Sequence, residues 1–311
     1  MKLVLHIGAH RTGTTTFQAY MARNKVALRA QGVTYWGPRV TRQGMFAGIQ
    51  QPTPMARKCA MGRARGRLKL RMQKVQQNFG SHTLVISEEN MMGSMTRNLR
   101  QRSLYDDAGE RVARFVAAFD GAVDQIVLGI RSLDHYWMSV AALDVMNGHP
   151  VPDRATLATI ASGQRVWRDV ITDVACAAPE AEIKVMPFER FVGRPDAQLS
   201  AALGYAVPED HSNNWLNRRP ELPHLRSLLA ERGSDTRGMR GPGDRWNPFL
   251  RAEVAALREA YADDMFWLKS GASGLATLTE DVDWTEAEWP TGPMMRGHIN
   301  EFEERRMARS G

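Results

Sequence analysis

Apolar residues in this chain gather into short, unbroken runs rather than alternating with polar ones. The runs lie within residues 2–7, 83–87, 123–130 and 182–187, as in Leu3-Val4-Leu5, Leu84-Val85-Ile86 and Val127-Leu128-Gly129-Ile130. Runs of this length, closed by turn residues, predict strands buried on both faces. Between them the apolar positions recur with a period near 3.6. That period predicts helices at 14–30, 60–78, 107–119, 132–147, 154–161, 164–177, 196–203, 222–231 and 249–268. Strand and helix in turn define an α/β class: a three-layer parallel sheet flanked by helices. Residues 37–58 carry Gly, Pro and Gln without period and read as a long loop, a candidate lid. Residues 232–248 read as a second mobile loop. Residues 271–311 are polar and acidic, with Trp284 and Trp289, and read as a tail, packed on the main domain of 1–270 or partly disordered. No internal repeat or heptad pattern is present.

Composition narrows the setting. The 311 residues are 43% hydrophobic, enough for a sizeable core. No run approaches the roughly 18 apolar residues of a membrane span. The N-terminus has no apolar leader with a cleavage site. Cys59 and Cys176 stand far apart with no C-x-x-C spacing, so neither a disulfide framework nor a zinc site is expected. A reducing cytoplasm fits that cysteine usage.

Charge changes the picture more. The net charge of +7 is unevenly spread: residues 1–87 hold 15 Lys and Arg and no carboxylate, and Glu88 is the first acid of the chain. The remaining 224 residues carry 26 basic and 34 acidic side chains. So basic an N-terminal segment expects an anion: a phosphorylated cofactor, an acidic glycan or a nucleic acid. The run Arg57, Lys58, Arg63, Arg65, Arg67, Lys69, Arg71 and Lys74 suits an acidic polymer or a membrane surface, or simply a solvated helix face.

The first strand leads into His6-Ile7-Gly8-Ala9-His10-Arg11-Thr12-Gly13-Thr14-Thr15-Thr16 and then a helix. Gly8 and Gly13 are spaced like the two glycines of a Walker A loop, G-x-x-x-x-G-K-[ST]. Backbone N–H groups and the helix N-terminus of such a loop cradle a phosphate. The lysine position holds Thr14, and the nearest cation is Arg11. The loop therefore suits a phosphate but not the β,γ-phosphate chemistry of a nucleoside-triphosphate hydrolase. The strand ending at Ser87 delivers Glu88 and Glu89, and the one ending at Ile130 delivers Arg131. In the helix that follows, Ser132, His135 and Ser139 share one face. Arg131 and Ser139 there suit a second phosphate, the guanidinium as a fork and the hydroxyl as a donor.

Two phosphate grips on neighbouring strands with a carboxylate between them resemble the sulfotransferases that use 3′-phosphoadenosine 5′-phosphosulfate, enzymes of a P-loop-like fold. Their K-x-G-T-T loop stands here as Arg11-Thr12-Gly13-Thr14-Thr15, with arginine for lysine. Their arginine followed eight residues later by serine stands as Arg131 and Ser139, with Leu133 where many members have proline. Their C-terminal R-x-G-x-x-G-D-W-x-N-x-F loop is similar, with small insertions, to the stretch from Arg237 to Phe249. Lys184 to Phe191 resembles a scaffold segment of the family. The resemblance spans roughly residues 1–268. It implies cofactor contacts from Gly8, His10, Arg11, Thr12, Gly13, Thr14, Thr15, Thr16, Arg131, Ser139, Arg237 and Gly238, and no metal. It implies catalytic roles for Glu88 as the base and Arg11 at the breaking bond. Glu89, His10 and His6 stand as alternative bases, His6 more suited to the core and His135 to a place beside the cofactor.

The expected reaction is sulfuryl transfer to an acceptor hydroxyl or amine on a glycan, lipid or small molecule. The basic helix hints at an anionic or carbohydrate acceptor; Met91, Met92 and Met95 hint equally at an apolar one, or else simply pack as core. A P-loop kinase-like phosphotransferase and a non-catalytic polyanion- or nucleic-acid-binding protein are the competing readings. Under the sulfotransferase reading no nucleic acid is expected as partner.

Overall fold

The computed structural model describes residues 1–49, 54–213, 215–241 and 243–280. Six strands form one sheet: β1 Lys2–His6, β2 Val33–Trp36, β3 Thr83–Ser87, β4 Gln125–Ile130, β5 Glu182–Pro187 and β6 Thr277–Leu278. Their order is β2-β3-β1-β4-β5-β6, and every pairing is parallel. The expected α/β class and parallel sheet are thus present.

Successive residues of β1 point to opposite faces. Leu3, Leu5 and Ile7 join Leu84, Ile86, Ile126, Leu128 and Ile130 in the larger core. That core is covered by helices α5 Ala108–Ala118, α6 Leu133–Met146, α8 Trp167–Ala177 and α11 Arg251–Lys269, and by α3 Pro54–Phe79. Val4, Val85, Val127 and Met186 face the other way. They pack on α1 Thr14–Arg23, α2 Lys25–Ala30 and α9 Pro195–Leu203. The helices α4 Met95–Gln101 and α7 Arg154–Ala161 add Leu99, Leu157 and Ile160 to the larger core, and α10 Leu222–Glu231 packs its leucines on Ala141, Ala142 and Val145 of α6. Each fully buried Leu, Ile or Val contributes roughly 1.5–3 kcal/mol relative to exposure.

Several expectations are revised. The single helix expected over 14–30 is two, broken at Asn24, whose side-chain amide donates to the carbonyls of Tyr20 and Asp210. The long loop expected over 37–58 is partly helical: a turn at Pro38–Val40, a wide five-residue turn at Thr41–Met45 with Gly44 at φ 81°, and then α3 from Pro54. The loop over 232–248 is pinned rather than free, because Met239 and Trp246 are buried against Ala141, Ala142 and Val145 of α6 and the leucines of α10. Residues 277–278 add a strand to β5, so the sheet reaches past residue 270. The rest of the expected tail, 281–311, lies outside the described residues.

This strand order sends the chain outward in both directions from β1. Ligands of open parallel sheets bind at that reversal, at the carboxyl ends of the strands. The glycine loop after β1, Glu88 after β3 and Arg131 after β4 all lie there.

Candidate functional site

The loop after β1 is held by β4. Ile7 N–H donates to the Val127 carbonyl and Ala9 N–H to the Gly129 carbonyl, each at 3.0 Å. Arg11 and Gly13 adopt left-handed backbone angles, φ 67° and 82°, which turn the chain into α1. A Cβ at Gly8 would lie 3.1 Å from both His6 Nε2 and Thr14 Oγ1, so any larger residue there would press on both side chains. A Cβ at Gly129 would lie 2.8 Å from Thr12 Oγ1. As the residue before α1, Gly13 brings no side chain to cap the first N–H groups of that helix. The N–H groups at Thr14, Thr15 and Thr16 are therefore left for an anion.

The threonines divide their work. The buried Thr12 hydroxyl donates to the Ala9 carbonyl at 2.6 Å and shapes the loop. Thr16 Oγ1 accepts from Leu216 N–H at 3.0 Å, and Thr15 Oγ1 from the Asn217 side chain at 3.3 Å. Residues 216–217 thereby lie over the start of α1.

Four arginines converge beside this loop. Arg11 Nε donates to Ser139 Oγ at 2.8 Å, joining the two expected phosphate grips directly. Arg131 donates to the Arg11 carbonyl at 3.0 Å, and its guanidinium lies 4.4 Å from the Phe188 ring centre. The buried Arg131 Nε finds no hydrogen-bond partner among the described residues. Burial, then the charges of Arg131 and Arg219, push the Arg11 pKa down to about 10. Burial also takes Arg131 to about 10, with Arg245 adding to the fall and Glu189 and Asp134 opposing it. Arg219 falls to about 10 through burial and the charges of Arg245 and Arg131. Guanidinium groups this close depress one another's pKa because each adds positive charge beside the next.

The surrounding carboxylates brace the cluster. Glu189 accepts from Ser132 N–H at 2.9 Å and Tyr261 OH at 3.0 Å. Asp134 accepts from Arg258 at 2.7 Å and Ser132 Oγ at 2.5 Å. His135 is held below the ordinary histidine value by burial, with Asp134 opposing.

A second group lies on the β3 side. Glu88 is buried, and its carboxylate accepts from Thr41 Oγ1 at 2.6 Å and from Arg42 Nε and Nη2 at 3.0 and 2.7 Å. Arg42 also bridges to Glu89 at 2.8 Å, and Gln18 donates to the other Glu89 oxygen at 2.8 Å. Burial raises the Glu89 carboxyl, but His10, Arg42 and its hydrogen bonds outweigh it and leave the pKa lowered. His10 contacts Tyr105 OH through Nδ1 at 2.8 Å and Asn90 Oδ1 through Nε2 at 3.3 Å. His6 is buried between Ser87 Oγ and Gln198, and burial pushes its pKa down to about 4.

The structure thus joins Gly8, Arg11, Gly13, Thr14, Thr15, Thr16, Arg131 and Ser139 into one site. Thr12 lies in the loop but spends its hydroxyl on it. Arg237 is not brought in: its side chain is 91% exposed and pairs with Asp235 at 3.1 Å. Gly238 stands in open space. The cation of that loop whose charge reaches the cluster is Arg245, the exposed neighbour of the buried Trp246. Arg219 and Arg42 were not singled out from the sequence; each comes from an irregular segment without a spacing rule. Met91 and Met92 are fully buried and Met95 packs partly buried against the same core, so of their two readings the core one holds. Among the described residues no cluster of three metal-ligating side chains occurs, and no helix is long and apolar enough to cross a membrane.

No protein-family model matches this chain, and no curated protein or solved structure matches it.

Proposed function

We propose that this protein is a sulfotransferase that uses 3′-phosphoadenosine 5′-phosphosulfate. One observation carries the reading: a lysine-free phosphate loop opens onto four convergent arginines at the sheet's reversal point. A single phosphate does not need so much charge. A nucleotide bearing a 3′-phosphate and a 5′-phosphosulfate does. The α1 N–H groups and Arg11 would hold the 5′ end, and Arg131, Ser139, Arg219 and Arg245 the 3′-phosphate.

When bound, the donor supplies an activated sulfuryl group. Arg11 and the loop N–H groups receive the charge that develops on the phosphate oxygen as the sulfur–oxygen bond breaks. Residues 216–217, held over the start of α1, would help to keep water out. The acceptor approaches from the β3 side, where Glu88, Glu89 and His10 lie. Exposed Arg63, Arg65, Lys69, Arg71 and Lys74 on α3, with no acid before Glu88, favour an anionic acceptor over a neutral one.

Tight binding of magnesium-ATP with phosphoryl transfer would instead support the kinase-like reading, which Thr14 in the lysine position disfavours. The test is equilibrium dialysis of adenosine 3′,5′-bisphosphate against adenosine 5′-monophosphate on wild type and Arg131→Ala. A 3′-phosphate preference that the variant loses supports the proposal. Equal affinity for both nucleotides contradicts it.

A further inference from the structure

Apart from the arginine cluster, a cavity of about 270 Å³ lies between the end of α4, the first turns of α6, the end of α7 and the middle of α11. Its floor is apolar: Leu104, Leu133, Ile160 and Leu257 are buried there beside the Trp137 indole. Its rim is polar and exposed, with Arg102, Thr159 and Gln164. Arg165 fastens one wall. Its Nε donates to the Leu104 carbonyl at 2.7 Å and its Nη2 to the Tyr105 carbonyl at 2.9 Å, which ties the loop before α8 to the loop after α4. Leu133 faces this cavity, while Ser132 and Asp134 on either side of it contact Glu189 and Arg258. The cavity therefore adjoins the arginine cluster without using its groups.

Size, polarity and charge together define an occupant. An apolar cavity of roughly 150 Å³ holds benzene, so this one has room for a ring with a short substituent. Trp137 is 4% exposed, and its indole N–H makes no hydrogen bond among the described residues. A buried donor without a partner favours a ligand that brings an acceptor. The charges around the rim are matched. Arg165 pairs with Asp173 at 2.5 Å and, more loosely, with Asp106 at 3.8 Å. Asp153 is held below the ordinary carboxylate range by its bonds to Thr156, with the Arg102 charge adding to the fall. An ionic ligand would have to enter an apolar floor with no charge left over to meet it.

We propose that this cavity is a binding site for a small neutral aromatic molecule, whose one hydrogen-bond acceptor meets the Trp137 indole N–H. The ring would lie against Leu133, Ile160 and Leu257, with its polar substituent turned to Trp137. The site is separate from the nucleotide crevice and stands whatever donor that crevice holds.

The probe is acetophenone, a neutral ring with one carbonyl and no hydroxyl or amine, so it cannot itself accept a sulfuryl group. The full chain is titrated with it while the indole N–H signals are followed by nitrogen-15 NMR, and Trp137→Phe identifies the Trp137 signal. That signal should shift saturably, with a dissociation constant of roughly 1 mM or tighter. Ala260→Leu fills the cavity from α11 and should weaken binding by at least about 10-fold, with a urea melt showing that the variant is folded. If it does not fold, Ala161→Leu fills the cavity from α7 and is read by the same criterion. Benzoate and benzylammonium should each bind at least about 10-fold more weakly than acetophenone. Saturating adenosine 3′,5′-bisphosphate should leave acetophenone binding unchanged. A Trp137 signal that shows no saturable shift overturns the proposal, as does undiminished binding in the folded filled variant. Benzoate or benzylammonium binding as tightly as acetophenone overturns the neutral-ligand assignment. Displacement of acetophenone by the bisphosphate would put the probe in the crevice and overturn the proposal as well.

Discussion

Arg131 has lost most of its hydration to burial, and its Nε–H gains no protein partner among the described residues in return. Such a group raises the free energy of the unliganded protein and lowers it again when an anion arrives. Arg131→Ala is therefore expected to weaken adenosine 3′,5′-bisphosphate binding by roughly 10- to 100-fold, the worth of one or two charged hydrogen bonds. Its urea midpoint should stay the same or rise, because a like charge leaves the cluster. Glu88 behaves in the opposite way. Its carboxylate ties the turn at Thr41–Met45 to the end of β3. Glu88→Gln is expected to cost about 1–3 kcal/mol of stability in urea denaturation, as a buried charged contact is lost. Bisphosphate affinity should be unchanged, and a variant as stable as wild type would contradict that fastening role. His6 sets a pH dependence of its own. Its folded pKa of about 4 lies below the ordinary 6.5, so the unfolded chain takes up the proton first. Stability should fall as pH drops through that window, and His6→Asn should flatten the slope there. An equally steep slope in the variant would mean that other groups carry it.

The elements that position these side chains differ in how plainly the sequence announces them. β1, β3, β4 and β5 are continuous apolar runs because both sheet faces are covered, and that pattern is readable without a structure. β2 has four residues and β6 two, at the sheet edges, too short for any period to emerge. Arg11, Arg131 and Ser139 were legible because strand ends and a helical offset fix their spacing. Arg219 and Arg245 were not, because irregular chain carries them and tertiary packing alone brings them in. Trp246 provides that packing for Arg245, buried against α6 and α10. Trp246→Ala is expected to destabilise the protein by about 3–5 kcal/mol if the segment stays folded onto the core. It should also weaken the bisphosphate, since Arg245 loses its anchor. Calorimetric unfolding and ligand titration of the one variant read both effects. Tight bisphosphate binding by the unfastened segment would show that Arg245 contributes nothing to the site.

Across the whole molecule, charge and topology point to the same place. The strand order opens its crevice beside β1, and residues 1–87 that build the loop and flank it carry 15 cations and no carboxylate. Under the proposed function a field of that sign would draw a polyanionic nucleotide towards the crevice and fade as salt screens it. The acidic remainder of the chain supplies the scaffold carboxylates, Glu189 and Asp134, that brace Arg131 and its helix. The central claim is that this crevice recognises a nucleotide by its 3′-phosphate. Calorimetric titration with adenosine 3′,5′-bisphosphate, with and without magnesium and beside ATP and AMP, tests it most directly. Magnesium-independent binding that requires the 3′-phosphate and weakens with added salt is the expected result. No binding, or a preference for magnesium-ATP, would contradict the sulfotransferase account.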